Sequence, residues 1–205
     1  MSFAEMSAQS FTGALSSSEP VPGGGGACAL AGALGASLAA MVGNLTAGKK
    51  KYAEYERDIQ RILKDAERLR LALLALIDRD AECFAPLSRA YGLTRDNPAR
   101  DALMEDALKL ACTVPVEIMR CAAEAIALHA ELAVKGSALM LSDVGVGVLC
   151  CKTALMGASL NVLTNVRLMK DLSFAGALRD RCGALIAEHG AAADRCYAAV
   201  LQKLS

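Results

Sequence analysis

An uncharged stretch from Gly23 to Gly48 constrains the fold of this chain more than any other feature. It consists mainly of Ala, Gly and Leu, and it is long enough to span a bilayer by the usual criterion of about 20 apolar residues. Its small residues, the polar Asn44 and Thr46 near its end, and the lack of Trp favour a helix at the centre of a bundle instead. We therefore expect a buried helix ending at about Ala47, and no membrane partner.

Apolar residues recur every three or four positions through most of the remaining chain, which is typical of helices. The chain is 54% hydrophobic but only 4% aromatic, and it has few β-branched residues, so strands are not expected. Short connections make neighbouring helices antiparallel. The predicted fold is all-α, an antiparallel up-and-down bundle of about five long helices plus a short N-terminal helix, in a single domain over residues 1–205. Besides the helix after Gly26, helices are expected at about 3–16, 52–91, 99–133 with a kink at Pro115, 142–170 and 174–204.

Composition argues against several classes of function. The 22 basic and 22 acidic residues cancel, so we expect no nucleic-acid partner. Eight cysteines without a CxxC pair are expected to be reduced thiols, and no secretory or mitochondrial signal is recognised, so a cytoplasmic location is expected. His129 and His189 are isolated, without the spacing of metal ligands, so we predict no metal.

Antiparallel connectivity sorts the polar residues between the two ends of the bundle. The end with the glycine turn should hold Gly23, Gly24, Gly25, Gly26, Asp80, Asn161 and Asn165. The opposite end should hold Lys49, Lys50 and Asp143. Asp143 and Asn161 share one helix face but lie about 27 Å apart along it at 1.5 Å per residue. A single subunit cannot bring both to one small pocket, whereas an antiparallel two-fold dimer can.

Each candidate feature has more than one interpretation. The four glycines can expose backbone N–H groups to an anion at a helix N-terminus, or can form a tight turn that needs positive φ. Asp80 can be a partly buried general acid or base, or can form a salt bridge with a neighbouring helix. Asn161 and Asn165, one helical turn apart, indicate a polar pocket for a heteroaromatic ring. The small residues between Asp143 and Asn161 allow either close helix packing or a flat ligand.

Short motifs in a fixed order resemble the cyclodeaminase/cyclohydrolase family of folate enzymes over nearly the whole chain. The motifs are Pro22-Gly23-Gly24-Gly25, Met41-Val42, Thr46-Ala47-Gly48-Lys49-Lys50, Asp80-Ala81 with Phe84, Val114-Pro115, Ser142-Asp143, and Asn161-Val162 with Asn165 and Asp171. The chain departs from the family pattern at Gly26, where Ser is usual, and at Gly145 and Gly147, which replace part of an alanine-rich run.

The resemblance implies an all-α homodimer that binds a tetrahydrofolate derivative and needs no other cofactor. It implies Asp80 or Asp143 as the general acid/base, Asn161 and Asn165 as ring-orienting groups, and Gly23 to Gly26 with Lys49 or Lys50 as contacts to anions. Because no formiminotransferase domain is attached, the chain more closely resembles the cyclohydrolases, which open methenyltetrahydrofolate with water to give formyltetrahydrofolate. Two alternatives stay open: a formiminotetrahydrofolate cyclodeaminase that releases ammonia, and a non-catalytic folate-binding helical dimer.

Overall fold

The computed structural model describes residues 2–205, and within them every regular element is helical. The all-α helical bundle is thereby confirmed. Short 3₁₀ segments at Lys50–Tyr55 and Ala138–Met140 precede two of the long helices, and a π-helical turn at Ile186–Gly190 separates the last two. The helices are α1 (Ala8–Leu15), α2 (Gly24–Asn44), α3 (Glu56–Tyr91), α4 (Arg100–Ala111), α5 (Thr113–Lys135), α6 (Leu141–Val166), α7 (Leu172–Leu185) and α8 (Ala191–Leu204).

Helix α2 lies at the centre of the bundle and packs against α3, α5 and α6. Its small residues allow this close approach: a Cβ on Gly35 would overlap the Cys151 sulfur of α6, and one on Gly43 would lie 2.8 Å from Leu63 of α3. By length and composition alone, α2 and the segment Ala138–Val166 are apolar enough to cross a membrane. For α2, burial among three helices accounts for the absence of charge.

The contacts between α2 and α6 run in opposite directions along the two helices. Gly24 lies beside Asn161, with 3.6 Å between the Asn161 Oδ1 and a Cβ built on the glycine, and Gly35 lies beside Cys151. As the residue number rises along α2, it falls along α6. The two helices are therefore antiparallel, and the start of α2 lies at the same end of the bundle as the end of α6.

The third predicted helix is two helices in the structure, which corrects the expectation of a single kinked helix over 99–133. Helix α4 ends at Ala111, Cys112 lies between the helices with φ −83° and ψ −18°, and α5 begins at Thr113. Pro115 sits in the first turn of α5, where its missing N–H is not needed by the helix. The proline thus acts as a helix start rather than as a kink within one helix.

The last predicted helix is also interrupted, because the π-helical turn joins α7 to α8. Conversely, α3 continues without a break through Pro86, which lies inside the single helix predicted over 52–91. Asp171 begins α7 by accepting a hydrogen bond from the Phe174 backbone N–H at 3.0 Å, and it also accepts one from Lys109 of α4 at 2.7 Å. This aspartate therefore ties α7 to α4.

Candidate functional site

A cavity of about 320 Å³ opens where the start of α2 meets α3, α5 and the end of α6. It brings together six of the residues singled out from the sequence, which come from three separate segments of the chain. These residues are Gly23, Gly24, Gly25, Asp80, Asn161 and Asn165. The antiparallel arrangement of α2, α3 and α6 is what places them at one end of the bundle.

The glycine run makes room for the Asp80 carboxylate. Gly23 caps α2 in an extended conformation with φ −117°, and the next three glycines form the first helical turn. Among residues 2–205, the only positive φ belongs to Gly48, so the tight-turn interpretation of this run is wrong. A Cβ on Gly25 would overlap both carboxylate oxygens of Asp80. Glycine is needed at this position because a carboxylate packs directly on the helix backbone.

Asp80 is a half-buried carboxylate without a cationic partner. Burial raises its pKa, and a backbone hydrogen bond from Gly26 opposes that rise. No salt bridge joins it to another residue in the described part of the chain, so the salt-bridge alternative is not realised. The first-turn N–H groups of α2 lack intrahelical partners and carry the positive end of the helix dipole. The site therefore combines a carboxylate with a raised proton affinity and backbone donors at a helix start.

The neighbouring Asp78 has a different function in the fold. Its carboxylate accepts hydrogen bonds from the Ser2 hydroxyl at 2.5 Å and from the Phe3 backbone N–H at 2.6 Å. It therefore holds the N-terminal segment against α3. Glu82, four residues further along the same helix, is exposed.

Asn161 and Asn165 are half-buried on α6 and line the cavity together with Thr164. Asn161 lies next to the backbone of Gly24. Asn165 approaches Cys112; burial raises the pKa of this thiol to about 11, and the asparagine opposes the rise. These amides can both donate and accept hydrogen bonds, as a heteroaromatic ring with several nitrogens requires.

The wall of the cavity is apolar and partly aromatic. Phe84, Leu87 and Tyr91 line it from α3, and Pro115 lines it from α5. Phe84 belongs to one of the sequence motifs, whereas Leu87 and Tyr91 were not predicted as site residues. Their positions carried a usable signal, because Asp80, Phe84, Leu87 and Tyr91 follow one another at intervals of four, three and four residues and so share one helix face.

Four of the predicted site residues do not line this cavity. Gly26 packs against Pro22 and Ile77, and only its backbone faces the carboxylate. Lys49 and Lys50 are exposed after the end of α2, and Asp143 is half-buried in the first turn of α6. These three lie at the other end of the bundle, as the antiparallel connectivity predicts. The cavity is consequently lined by one carboxylate and by no Lys or Arg.

Three other cavities of comparable size are less suited to chemistry. The first, of about 340 Å³, is lined by Asp78, whose carboxylate already accepts hydrogen bonds from Ser2 and Phe3. One of about 330 Å³ between α3 and α4 is lined mainly by apolar side chains. Another of about 430 Å³ lies beside α7, where Lys109 is already paired with Asp171 and Glu117 with Arg79. Within residues 2–205 there is no group of three or more His, Cys, Asp or Glu that could hold a metal ion. Of these cavities, the Asp80 cavity is the one that combines a half-buried carboxylate, amides and helix-start donors.

Comparisons with known proteins match this chain over most of its length. Residues 7–184 match the family model described as formiminotransferase-cyclodeaminase. The chain is 41% identical to the methenyltetrahydrofolate cyclohydrolase of Methylorubrum extorquens, covering 96% of this chain and 97% of that protein. It is 30% identical to the formimidoyltransferase-cyclodeaminase of Rattus norvegicus, covering 91% of this chain but only 35% of that longer protein.

A solved structure has the same fold over almost its whole length. The crystal structure of formiminotetrahydrofolate cyclodeaminase from Thermotoga maritima superimposes with a TM-score of 0.86, at 28% identity, and covers 98% of this chain and 96% of that chain. The family match and this superposition each extend over most of the helical bundle and the cavity at its end. The chain belongs to the formiminotransferase-cyclodeaminase family.

Proposed function

We propose that the Asp80 cavity binds methenyltetrahydrofolate and catalyses its hydrolysis to formyltetrahydrofolate. The observation that carries the proposal is the half-buried, unpaired Asp80 carboxylate, packed on the glycine backbone of α2 and sharing its cavity with Asn161. The 41% identity to a methenyltetrahydrofolate cyclohydrolase over nearly the full length of both proteins supports this choice of reaction.

The chemistry requires a proton acceptor beside a positively charged carbon. Water adds to the cationic methenyl carbon, and the Asp80 carboxylate takes one proton from it, which leaves a neutral tetrahedral carbon between two nitrogens. The bond from this carbon to one nitrogen then breaks, the hydroxyl proton is lost as the formyl group forms, and the released nitrogen takes up a proton. The net change is methenyl cation plus water to formyltetrahydrofolate plus one proton.

Two properties of Asp80 suit this role. Burial raises its pKa, which makes the ionised carboxylate a stronger base. Its negative charge also stabilises the cationic bridge of the substrate. Asn161 and Asn165 would orient the ring by hydrogen bonds, while Phe84 and Leu87 would contact its apolar face. The N–H groups at the start of α2 would donate to oxygen at the tetrahedral carbon.

A formiminotetrahydrofolate cyclodeaminase is the second candidate, and the Thermotoga maritima structure is the observation that favours it. That reaction passes through a tetrahedral carbon between the same two nitrogens, and the proton would go to the departing ammonia. The same cavity could serve it. A non-catalytic folate-binding dimer is the third candidate, and it predicts ligand-dependent stabilisation without turnover.

The decisive experiment follows the methenyl absorbance with wild type, Asp80→Asn and the matched control Asp78→Asn. Asp78 lies two residues earlier on the same helix and contacts the N-terminal segment instead of the cavity. We expect wild type and the control to remove the absorbance without ammonia release, and Asp80→Asn to be slower by at least about 100-fold, a typical share for general acid–base catalysis. Appearance of the absorbance from the formimino compound together with ammonia would identify the cyclodeaminase instead.

Two further properties are proposed on separate grounds. Exposed apolar side chains on α2 and α6, such as Leu34 and Leu160, support a homodimer in which this surface is covered. The eight cysteines, all free thiols, support a cytoplasmic location. Sedimentation analysis of the purified protein tests the first, and fractionation of cells that express it tests the second.

A further inference from the structure

His129 on α5 is a polar side chain of the core that the proposed reaction does not use. It is 0% exposed, and its Nε2 lies 2.9 Å from the backbone carbonyl oxygen of Gly35 in α2. Because a carbonyl oxygen can only accept, the neutral imidazole carries its proton on Nε2 and donates it there. The other ring nitrogen, Nδ1, is buried and has no hydrogen-bond partner within residues 2–205.

A gain in stability does not explain this histidine. Burying an imidazole with one unpaired nitrogen costs free energy that an apolar side chain at the same position would not cost. The Gly35 carbonyl lies inside α2, where it already accepts a regular helical hydrogen bond, so it does not need His129 as a partner. Buried polar groups of this kind are best attested as groups that fix the register between helices. The bond is therefore to be explained by the arrangement that it fixes.

Helix α6 makes room for the imidazole at Gly147. A Cβ built on this glycine would overlap both Cε1 and Nε2 of His129. An alanine at position 147 would therefore push the ring away from Gly35. This gives a physical reason for one of the two glycines that replace part of the alanine-rich run: Gly147 and His129 fit each other, and together they allow α5 to reach the backbone of α2.

Helix α2 has few directional contacts with its neighbours, because most of its side chains are Ala, Gly and Leu. Within residues 2–205, two hydrogen bonds join the backbone of this helix to side chains of other helices. One runs from His129 to the Gly35 carbonyl, and the other runs from the Gly26 N–H to Asp80. The two glycines are nine residues apart, about 14 Å along the axis of one unbroken helix.

One of these two contacts belongs to the candidate site. The Gly26 hydrogen bond opposes the effect of burial on the pKa of Asp80, so the position of this N–H helps to decide how strong a base the carboxylate is. A continuous helix moves along its axis nearly as a rigid body. The place where Gly35 is held therefore also sets the place where the Gly26 N–H meets the carboxylate.

We propose that His129 is a positioning residue for the Asp80 cavity: its hydrogen bond to Gly35 fixes the axial position of α2 and so seats the first turn of α2 on the carboxylate. The proposal rests on the proposed function for the catalytic role of Asp80. A purely structural histidine would affect the stability of the fold alone, whereas a positioning residue also affects the properties of a carboxylate that it does not touch.

Kinetics of His129→Leu and His129→Gln separate these two roles. The leucine removes the donor, whereas glutamine keeps an N–H donor of similar reach and should retain most of the wild-type rate. We expect His129→Leu to fold and to lose about 10- to 100-fold in kcat/KM, mostly in kcat, as small displacements of catalytic groups do. Should this variant not fold, Gly147→Ala takes its place, because it displaces the ring and keeps the histidine. Wild-type kinetics in the folded variant would overturn the proposal.

The pH profile of kcat/KM gives a readout that a structural role would not change. Loss of the Gly26 hydrogen bond removes the contact that holds the pKa of Asp80 down, so the acid limb of His129→Leu should move to higher pH and that of His129→Gln should not. Two other titratable groups lie near Asp80, Tyr91 in the cavity wall and Cys28 on α2. Burial raises the pKa of the Cys28 thiol to about 11, so it does not titrate on the acid limb. An unmoved acid limb in a folded His129→Leu contradicts the proposal.

The native thiol of Cys28 reports on the position of α2 without any reference to activity. Cys28 is half-buried, and its sulfur lies against α6 at Gly157, where a Cβ would be only 2.5 Å away. After a short pulse of iodoacetamide, mass spectrometry measures the alkylation of each cysteine separately. We expect Cys28 to react about fivefold faster in His129→Leu, the factor that the loss of one hydrogen bond gives, with wild-type reactivity at Cys182 of α7. Equal reactivity of Cys28 in the variant and wild type would overturn the proposal. If wild type itself lacks folate turnover, the proposed function fails, while the alkylation still decides whether His129 holds α2.

Discussion

Replacing Gly25 by Ala tests how Asp80 is held. In the structure, the added Cβ would overlap Oδ1, Oδ2 and Cγ of Asp80. The backbone offers no obstacle, because Gly25 is helical and has negative φ. The perturbation therefore acts on one contact, between the first turn of α2 and the carboxylate of α3.

The magnitude follows from two opposing effects. Ala is favoured over Gly in a helix interior by about 1 kcal/mol, and somewhat less in a first turn. Overpacking a buried contact costs about 1–3 kcal/mol. We expect Gly25→Ala to be less stable than wild type by up to about 2 kcal/mol. If Asp80 rotates away to relieve the overlap, the loss of stability is smaller, but the carboxylate leaves its position and kcat/KM falls by about 100-fold or more.

Urea unfolding and the methenyl absorbance assay measure the two effects. Gly176→Ala in α7 is the matched control, because a Cβ there meets nothing within 4 Å; it should be stabilising and fully active. In an Asp80→Ala background the overlapping atoms are gone, so Gly25→Ala should no longer destabilise. A Gly25→Ala protein with wild-type activity would refute the reasoning.

Three further outcomes are expected. Burial raises the folded-state pKa of Asp80 above its unfolded value, so the ionised group destabilises the fold above that pKa; Asp80→Asn should raise Tm at neutral pH, with the gain disappearing as pH falls below the ordinary carboxyl range. Burial lowers the pKa of His129 from 6.5 to about 4, so the unfolded state binds a proton more readily than the folded state does. The free energy of unfolding, measured by urea titration, should therefore fall by roughly 3 kcal/mol as the pH is lowered from 6.5 to 4, and by much less in His129→Gln. Asp171→Ala should lower Tm by a few degrees through loss of the α7 cap and the Lys109 contact while kcat stays unchanged, because neither residue lines the cavity.

Most of the site could be predicted from the sequence because it depends on helix length and direction. Once the helices were antiparallel, counting residues back from the turn near Lys49 put Asp80 level with the glycine run, and the end of α6 followed. The cavity lining agrees with that placement. The family was recognised from the same short motifs, and the comparisons confirm it.

Other features needed tertiary information. Pro86 lies within a helix that continues past it, because packing overrides the local preference there. Pro115 indicated a disruption, but only the structure shows that the chain forms two helices separated at Cys112. The reason for glycine at position 25 was not visible either, since it depends on a side chain more than fifty positions away. The same holds for Asp78, whose partners lie in the N-terminal segment.

The central claim is that Asp80 and its cavity hydrolyse the methenyl bridge of a folate. The most direct measurement is the rate at which methenyltetrahydrofolate absorbance disappears with purified wild type, Asp80→Asn and Asp78→Asn at neutral pH. We predict rapid loss with wild type and Asp78→Asn, formyltetrahydrofolate as the product, and a rate at least about 100-fold lower for Asp80→Asn. Equal rates for Asp80→Asn and wild type, or no acceleration by wild type over buffer, would contradict the claim.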